Sequence, residues 1–296
     1  MTTGTIALVT DSTASLPLDV VAERGIVVVP LQVVIGAEAY DEGVEGGVTP
    51  ELLAEALQSW TPVSTSRPNP DEMLATYEKL AAAGATEIVS IHLSADLSGT
   101  FESAQLAACR APVPVYPVDS RQVGIGIGFA VLAAADARDA GGTAAEMVAA
   151  AQERAAATTS LFYVDTLEYL RRGGRMGAAA ALFGSALAVK PILKVEGGRI
   201  GPFERVRTSG KALGRLEELA VEAADAADVD VAVAHLASPD RATVLADRLS
   251  ARLAEGLGPR QVLVGEIGAV LGAHVGPGMV AVCVARRDAH KDAPTE

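Results

Sequence analysis

The fold of the first half of the chain is decided by the stretch Glu87-Ile-Val-Ser-Ile-His-Leu-Ser-Ala-Asp-Leu-Ser-Gly-Thr100. An apolar run rich in β-branched residues ends in a small polar loop, and a helical pattern starts at Phe101. This order predicts a strand, a tight turn and a helix N-terminus. In parallel sheets ligands bind beyond the carboxyl ends of the strands, where free N–H groups of the next helix favour an anion. Ser98 and Thr100 would add hydroxyl groups to such a site, although Ser94 and Ser98 also suit plain helix capping.

Strand–loop–helix units flank this stretch on both sides. The apolar run 6–10 is followed by Asp11, and the β-rich run 112–118 is followed by Asp119 and Ser120. If the strands are parallel, these polar residues share one edge of the sheet with the Ser98 loop. Asp11 then either orients ligand hydroxyl groups or caps the helix pattern that follows it.

A second pair of hydroxyl groups precedes a well-defined helix over 70–83. Asn69 and Glu72 have the spacing of a capping box, and a proline occupies the first helical position. Pro68 restricts the residue before it, so Thr65 and Ser66 are expected in an extended loop. Such a loop is either a ligand clamp or an ordinary turn.

The glycines at 124, 126 and 128 open a long alanine-rich helix. Their spacing is GxGxG and not the dinucleotide fingerprint GxGxxG, so it favours close packing of the helix on the sheet over a nucleotide site. The stretch 26–35 is also β-rich, with Pro30 marking a kink or an edge.

The second half of the chain has a different order of predicted helices and strands. A short strand and helix precede an almost wholly apolar pattern over 176–189, which predicts a helix that is buried or lines an apolar cavity. A hairpin turns at 197–198, and helices then alternate with strands up to 285. We therefore predict an α/β protein of two domains with the ligand between them. Residues 1–158 form a mostly parallel sheet flanked by helices, 159–287 a mixed or antiparallel sheet covered by helices, and 288–296 a disordered tail.

Composition and charge narrow the range of possible functions. The chain has 296 residues and a net charge of −13, which disfavours nucleic-acid binding and allows at most transient contact with an anionic membrane. It lacks a signal-peptide pattern and a long apolar run, so a cytoplasmic protein is expected. Cys109 and Cys283 have no metal-ligand spacing and are predicted to be small core residues. The histidines also lack metal-ligand spacing, and His92 and His235 are expected to be packed strand residues.

The charge is unevenly distributed. Residues 171–211 contain nine basic and two acidic side chains, a net charge of +7 within an acidic protein. This basic island suits an anionic ligand or an acidic partner surface. A solvated hairpin with charged edges explains it equally well.

Eight short motifs occur along the chain at or near the features described above. They are Val9-Thr-Asp-Ser-Thr13, Thr65-Ser-Arg-Pro68, Leu97-Ser-Gly-Thr100, Val118-Asp-Ser120, Tyr169-Leu-Arg-Arg-Gly-Gly-Arg-Met176, Lys190-Pro-Ile-Leu193, Val206-Arg-Thr208 and His274-Val-Gly-Pro-Gly278. Their order resembles the DegV family over about residues 5–285. That family is similar to the fatty-acid carrier subunits of bacterial fatty acid kinases. The resemblance implies a non-catalytic protein that holds a long-chain fatty acid between two domains and presents its carboxylate to an ATP-dependent kinase.

The resemblance also assigns residues. It places Thr65 and Ser98 at the fatty-acid carboxylate, with Ser66, Gly99, Thr100 and His274 as further contacts. It places Arg175 and Arg207, with Arg172, at the surface that faces the kinase and the transferred phosphate. Arg67 stands where the family often has glutamine, so it adds a charge beside the head group and puts the fine substrate preference in doubt. A fatty-acid ligand is implied, with neither a cofactor nor a metal.

Two other classes of function fit the sequence less well. A serine hydrolase would use Ser98 with His274 and an acid such as Asp11 or Asp119, but Ser98 lacks the GxSxG elbow of α/β-hydrolases. A nucleotide-binding enzyme would need a Walker loop or GxGxxG, and the sequence has neither. The long apolar pattern over 176–189 fits both a tunnel wall and ordinary core packing.

Overall fold

The computed structural model describes residues 5–182 and 190–287, in which helices alternate with strands of three sheets. The strands are β1 Thr5–Asp11, β2 Ile26–Val29, β3 Gln32–Ile35, β4 Glu38–Asp41, β5 Val63–Ser66, β6 Ala85–His92, β7 Val115–Asp119, β8 Thr158–Tyr163, β9 Lys190–Glu196, β10 Arg199–Val206, β11 Val229–His235, β12 Leu263–Glu266 and β13 Val280–Arg286. The helices are α1 Leu18–Glu23, α2 Pro50–Gln58, α3 Pro70–Ala82, α4 Thr100–Ala108, α5 Ile125–Asp139, α6 Ala144–Ala156, α7 Glu168–Arg172, α8 Ser209–Ala224, α9 Pro239–Arg252, α10 Ala254–Leu257 and α11 Ala269–Val275, with 3₁₀ helices at Ser12–Ala14 and Gly177–Leu182.

The N-terminal sheet is parallel throughout, with strand order β2-β1-β6-β7. Its strands end at a common edge, as predicted for the units around residue 87. Asp11 lies at this edge and accepts hydrogen bonds from the backbone N–H groups of Thr13 (3.1 Å) and Leu93 (3.0 Å). The carboxylate thus caps the first 3₁₀ turn and also fixes the end of β6.

The second sheet has six strands in the order β10-β9-β8-β13-β11-β12. All neighbours are antiparallel except β11 and β12. Helices α8 and α9 bury one face of this sheet through a core that includes Leu216, Leu249 and Val282. The predicted fold class is confirmed: a parallel N-terminal sheet with flanking helices is followed by a mixed, mainly antiparallel sheet.

The third sheet, with strand order β4-β3-β5, was not predicted. Pro30 separates β2 from β3, so the stretch 26–35 supplies one strand to each of two sheets. The prediction of an extended loop at Thr65 and Ser66 was wrong in kind, because both residues belong to β5. Thr65 pairs with Val33 across 32 positions of the chain, and this partner is not visible in the local pattern.

Two helical segments differ from the prediction. Only a 3₁₀ helix at Gly177–Leu182 is described within the pattern over 176–189, and residues 183–189 lie outside the described part of the chain, as does the predicted tail 288–296. Helix α11 was missed because glycines at 268, 272 and 276 weaken its local helical signal. Gly272 lets this helix pack closely, since a Cβ atom there would lie 2.6 Å from Leu53.

The prediction that both cysteines are small core residues is right for one of them and wrong for the other. Cys283 is buried in β13, whereas Cys109 is exposed at the C-terminal end of α4, where the last turn leaves the core. His92 and His235 are packed strand residues, as expected. Among the helices described, none is both long and apolar enough to cross a lipid bilayer.

Candidate functional site

A cavity of about 360 Å³ lies between the carboxyl edge of the parallel sheet and the inner face of the six-stranded sheet. Most of its wall is apolar and comes from both halves of the chain. The apolar wall includes Leu31, Leu93, Leu97, Phe162, Leu170, Val195, Ile200, Val270, Leu271 and Met279. Such a wall excludes water from the middle of the cavity and suits an alkyl chain.

The polar lining includes four side chains that come from four different segments of the chain. Thr65 lies on β5, Ser98 on the loop before α4, Arg175 on the loop after α7, and His274 near the end of α11. Ser66, Arg67 and Gly99 also line the cavity. The structure thereby brings together six of the residues that the resemblance assigned to the carboxylate or phosphate.

His274 is the centre of this group. Its Nε2 atom lies 2.8 Å from Oγ1 of Thr65, and its buried Nδ1 atom has no hydrogen-bond partner among the described residues. Burial and the nearby charge of Arg175 lower the pKa of His274 to about 4, so the ring is neutral at pH 7. Gly173 allows the ring to sit here, because a Cβ atom on it would lie 2.0 Å from Nδ1.

Arg175 supplies a positive charge to the cavity. Its Nε atom donates to the carbonyl of Leu97 (3.1 Å), and Nη1 donates to the carbonyl of Gly173 (2.6 Å). Within residues 5–182 and 190–287 the structure records no salt bridge to this guanidinium. With His274 neutral, the arginine leaves a local positive charge that a carboxylate would complement.

Ser98 lies beside the start of α4 and also lines the cavity. Its Oγ atom accepts from the backbone N–H of Thr100 (3.3 Å) and lies 2.9 Å from Oγ1 of that residue. It therefore accepts from the first N–H group of α4 while lining the cavity, although the N-cap position itself is Gly99. Thr100 is fully buried behind it and does not line the cavity. Arg67 is held by Glu102 (2.6 Å) at the same helix.

The loop that carries Ser98 is tied to the other half of the chain. Ser94 suits helix capping by its sequence position, but its hydroxyl instead donates to the carbonyl of Gly198 in the hairpin turn (2.7 Å). Arg121 donates to the neighbouring carbonyl of Gly197 (2.7 Å), and Arg199 pairs with Asp96 (2.8 Å). These contacts fix the loop relative to β9 and β10, which contribute apolar wall.

The other assigned arginines do not line the cavity. Arg172 bonds Glu168 (2.8 Å) and lies over the ring of Trp60 at 4.5 Å. Arg207 is exposed and directly follows β10. Strand register places Arg207 at the sheet end where β8 leads into α7, because Val206 pairs with Lys190 and Ile192 with Tyr163.

The groups proposed for a hydrolase do not form a triad. His274 bonds Thr65 and not Ser98. Asp11 bonds Nδ1 of His92 (3.0 Å), whose Nε2 lies 2.7 Å from the hydroxyl of Ser90. Asp119 accepts from backbone N–H groups. In the described ranges there is also no group of three His, Cys, Asp or Glu side chains arranged to hold a metal ion.

Sequence reasoning missed the wall residues of α11 and the pair Ser160 and Cys283. The pair could have been found from strand alternation, because Ser160 and Phe162 on β8, and Ala281 and Cys283 on β13, point to one face. Helix α11 gave no comparable signal.

The comparisons with known proteins agree with this architecture. The model of a family described as "Uncharacterised protein, DegV family" matches residues 5–287. This chain belongs to the DegV family. A DegV domain-containing protein of Streptomyces coelicolor is 56% identical over 282 residues, which cover 95% of this chain and 99% of that protein.

Solved structures of DegV proteins share the fold. A DegV family protein from Thermus thermophilus, described by its fatty acid binding, has a TM-score of 0.88 and 32% identity, covering 96% of this chain and 100% of that one. DegV of Bacillus subtilis, described as a fatty acid binding protein, has a TM-score of 0.87 and 34% identity with the same coverage.

Proposed function

We propose that this DegV protein binds a long-chain fatty acid in the cavity and presents its carboxylate to an ATP-dependent fatty acid kinase in the cytoplasm. The observation that carries the proposal is the arrangement of the cavity itself. A long apolar wall meets Thr65, Ser98, neutral His274 and Arg175, and the described residues offer no acidic partner for the charge of this arginine. The fatty acid binding described for the two solved relatives supports the same ligand class.

The alkyl chain supplies most of the affinity. Each buried methylene contributes about 0.8 kcal/mol, so about fifteen methylenes contribute on the order of 12 kcal/mol before the cost of ordering the chain and the protein. The polar groups add less energy but orient the ligand. Thr65 and Ser98 donate hydroxyl hydrogens to the carboxylate, the N-terminus of α4 favours the negative charge, and Arg175 compensates it.

The kinase step follows from the position of the carboxylate. In this proposal the acyl carboxylate attacks the γ-phosphorus of ATP bound by the kinase, and ADP leaves, so an acyl phosphate forms. The new dianionic group needs additional positive charge at the sheet end that carries Arg175 and Arg207. Arg172 lies on α7 at this end, but its charge is already paired with Glu168. The domain division at 158 and 159 would let the two halves adjust around the acyl chain.

Native mass spectrometry tests the binding function. Protein purified from cells should carry a mass equal to that of one long-chain fatty acid, because the apolar cavity retains such a ligand through purification. Organic extraction followed by mass analysis identifies the acid. The proposal fails if the protein neither carries an acid nor binds one added in detergent-free solution, and sustained cleavage of acyl esters would favour a hydrolase.

Fatty-acid affinity should depend on pH through His274. A carboxylate beside the ring favours its protonated form, so binding should return the pKa from about 4 towards the ordinary 6.5 despite the opposing charge of Arg175. Binding then takes up a proton between these two pKa values, and affinity increases as pH falls. From about pH 7.5 to about pH 5.5 we expect an increase of up to about tenfold, the full value being reached if the pKa returns to 6.5.

Competition with a fluorescent fatty acid measures this dependence. The His274→Gln variant serves as the control, because glutamine keeps a hydrogen bond to Thr65 but does not titrate. Its affinity should change little over the same range. An equal pH dependence in both proteins would assign the proton to another group.

A further inference from the structure

The far end of the cavity contains a polar pair in an otherwise apolar wall. Ser160 on β8 and Cys283 on β13 both line the cavity, and the two residues face each other in strand register. The Sγ atom of Cys283 donates to Oγ of Ser160 at 3.4 Å. Both side chains are buried, and Cys283 is only 5% exposed.

This pair lies away from the carboxylate end. Helix α7 and the loop with Arg175 leave the sheet beyond Tyr163, which pairs with Val280 at the start of β13. Met279, directly before β13, and Ala281 and Cys283 within it line the cavity at alternate positions. At about 3.3 Å per residue, Cys283 lies about 13 Å further along the strand than Met279.

The cavity ends at Cys283 because α5 packs on the sheet beyond it. Cys283 and Ile125 line the cavity, but they also belong to a buried cluster with Phe129, Ala232 and Ala285, which do not line it. Gly126 brings α5 against the pair, since a Cβ atom there would lie 3.0 Å from Oγ of Ser160. The end wall is therefore formed by a packed helix and not by a mobile loop.

The polar atoms of this wall satisfy one another. Ser160 donates to Oε1 of Gln122 (2.9 Å), and Nε2 of Gln122 donates to the carbonyls of Ala155 and Thr158 (3.0 Å each). The hydroxyl and thiol hydrogens thus both have partners inside the protein. An apolar methyl group can contact the wall without leaving a buried donor unpaired.

We propose that Cys283, together with Ser160, forms the closed end of the cavity and sets the length of the acyl chain that this protein accepts. The inference rests on the proposed fatty-acid-binding function, with the carboxylate held near Thr65 and His274. An acyl chain that reaches Cys283 fills the cavity. Additional methylene groups have no space there, because a close-packed protein interior does not expand to accommodate them without a cost in free energy.

Variants at Cys283 test this role in opposite directions. Affinities are measured for straight-chain saturated acids from decanoic to eicosanoic acid. Cys283→Leu should shift the acid of highest affinity to a shorter chain length. The longest acid that the unmodified protein binds well should lose about tenfold in affinity, because roughly two of its methylene groups can no longer be buried. Cys283→Ala should shift it to longer acids. Cys109→Leu, at an exposed cysteine outside the cavity, is the matched control.

The outcomes separate the two proposals. Thermal unfolding checks that each variant is folded, and the alanine variant carries the test alone if leucine prevents folding. A protein that binds none of the acids contradicts the proposed function itself. Normal binding with the same optimum in the unmodified protein and the folded Cys283 variants overturns only the role of the end wall.

Discussion

The double variant Thr65→Ala with Ser98→Ala should lose at least about a hundredfold in fatty-acid affinity while keeping its fold. Each hydroxyl group that bonds a charged carboxylate contributes about 1.5–3 kcal/mol, and alanine removes both hydrogen bonds. The apolar wall is untouched, so the affinity that remains should still increase with chain length. Isothermal titration with a long-chain acid measures the loss.

A matched double variant, Ser64→Ala with Thr86→Ala, removes one serine and one threonine hydroxyl at exposed positions outside the cavity. It should bind as the unmodified protein does. If the Thr65 and Ser98 variant also binds normally, Ser98 serves only to bond the first N–H group of α4 and Thr65 serves only to hold His274. Thermal unfolding distinguishes a lost hydrogen bond to the ligand from a damaged fold.

Local sequence patterns predicted the elements that carry the Ser98 loop. The apolar run rich in β-branched residues and the polar break after it identify β6, the turn and α4, all of which the structure contains. The capping box at Asn69 is also confirmed, with both of its hydrogen bonds present. These features succeed because each is encoded within a few consecutive residues, where propensity and capping act directly.

The contact between Thr65 and His274 could not be derived in this way. The two residues are 209 positions apart, and each lies on an element that the local pattern did not reveal. Strand β5 is four residues long and exists through its pairing with β3. Helix α11 exists through packing against α2 and through a buried acid, because Oε1 of Glu42 accepts from the N–H of Val270 (2.8 Å). Tertiary contacts override weak propensity at both places.

The site is consequently supported by buried polar contacts that the sequence showed only as isolated residues. Tyr77 donates to Ser90 (2.8 Å), Ser90 bonds His92, and His92 bonds Asp11, which also fixes the backbone at Leu93. All four side chains are fully buried. This network determines where the Ser98 loop leaves the sheet, so the geometry of the cavity lining depends on residues that do not line the cavity.

The structure separates the two arginines that the resemblance placed together at the kinase. Arg175 lines the cavity, so its removal is expected to affect the fatty acid as well as phosphoryl transfer. Arg207 is exposed outside the cavity and has no bonded acid recorded among the described residues. A substitution of Arg207 therefore tests phosphoryl transfer without altering the cavity, which a substitution of Arg175 cannot do.

Arg207→Ala should keep normal fatty-acid affinity and lose most acyl-phosphate formation with a cognate kinase, by about tenfold to a hundredfold. A hydrogen bond between charged groups contributes about 1.5–3 kcal/mol, and here the arginine meets the phosphate and not the bound acid. Radiolabelled ATP measures transfer, and titration of the same preparation measures affinity. Arg286→Ala is the matched control. It removes an exposed arginine at the C-terminal end of β13, which is the sheet end opposite to the one where Arg207 lies. Normal transfer by the Arg207 variant would reduce this part of the basic island to a solvated surface, whereas an equal loss of fatty-acid binding would place Arg207 at the carboxylate.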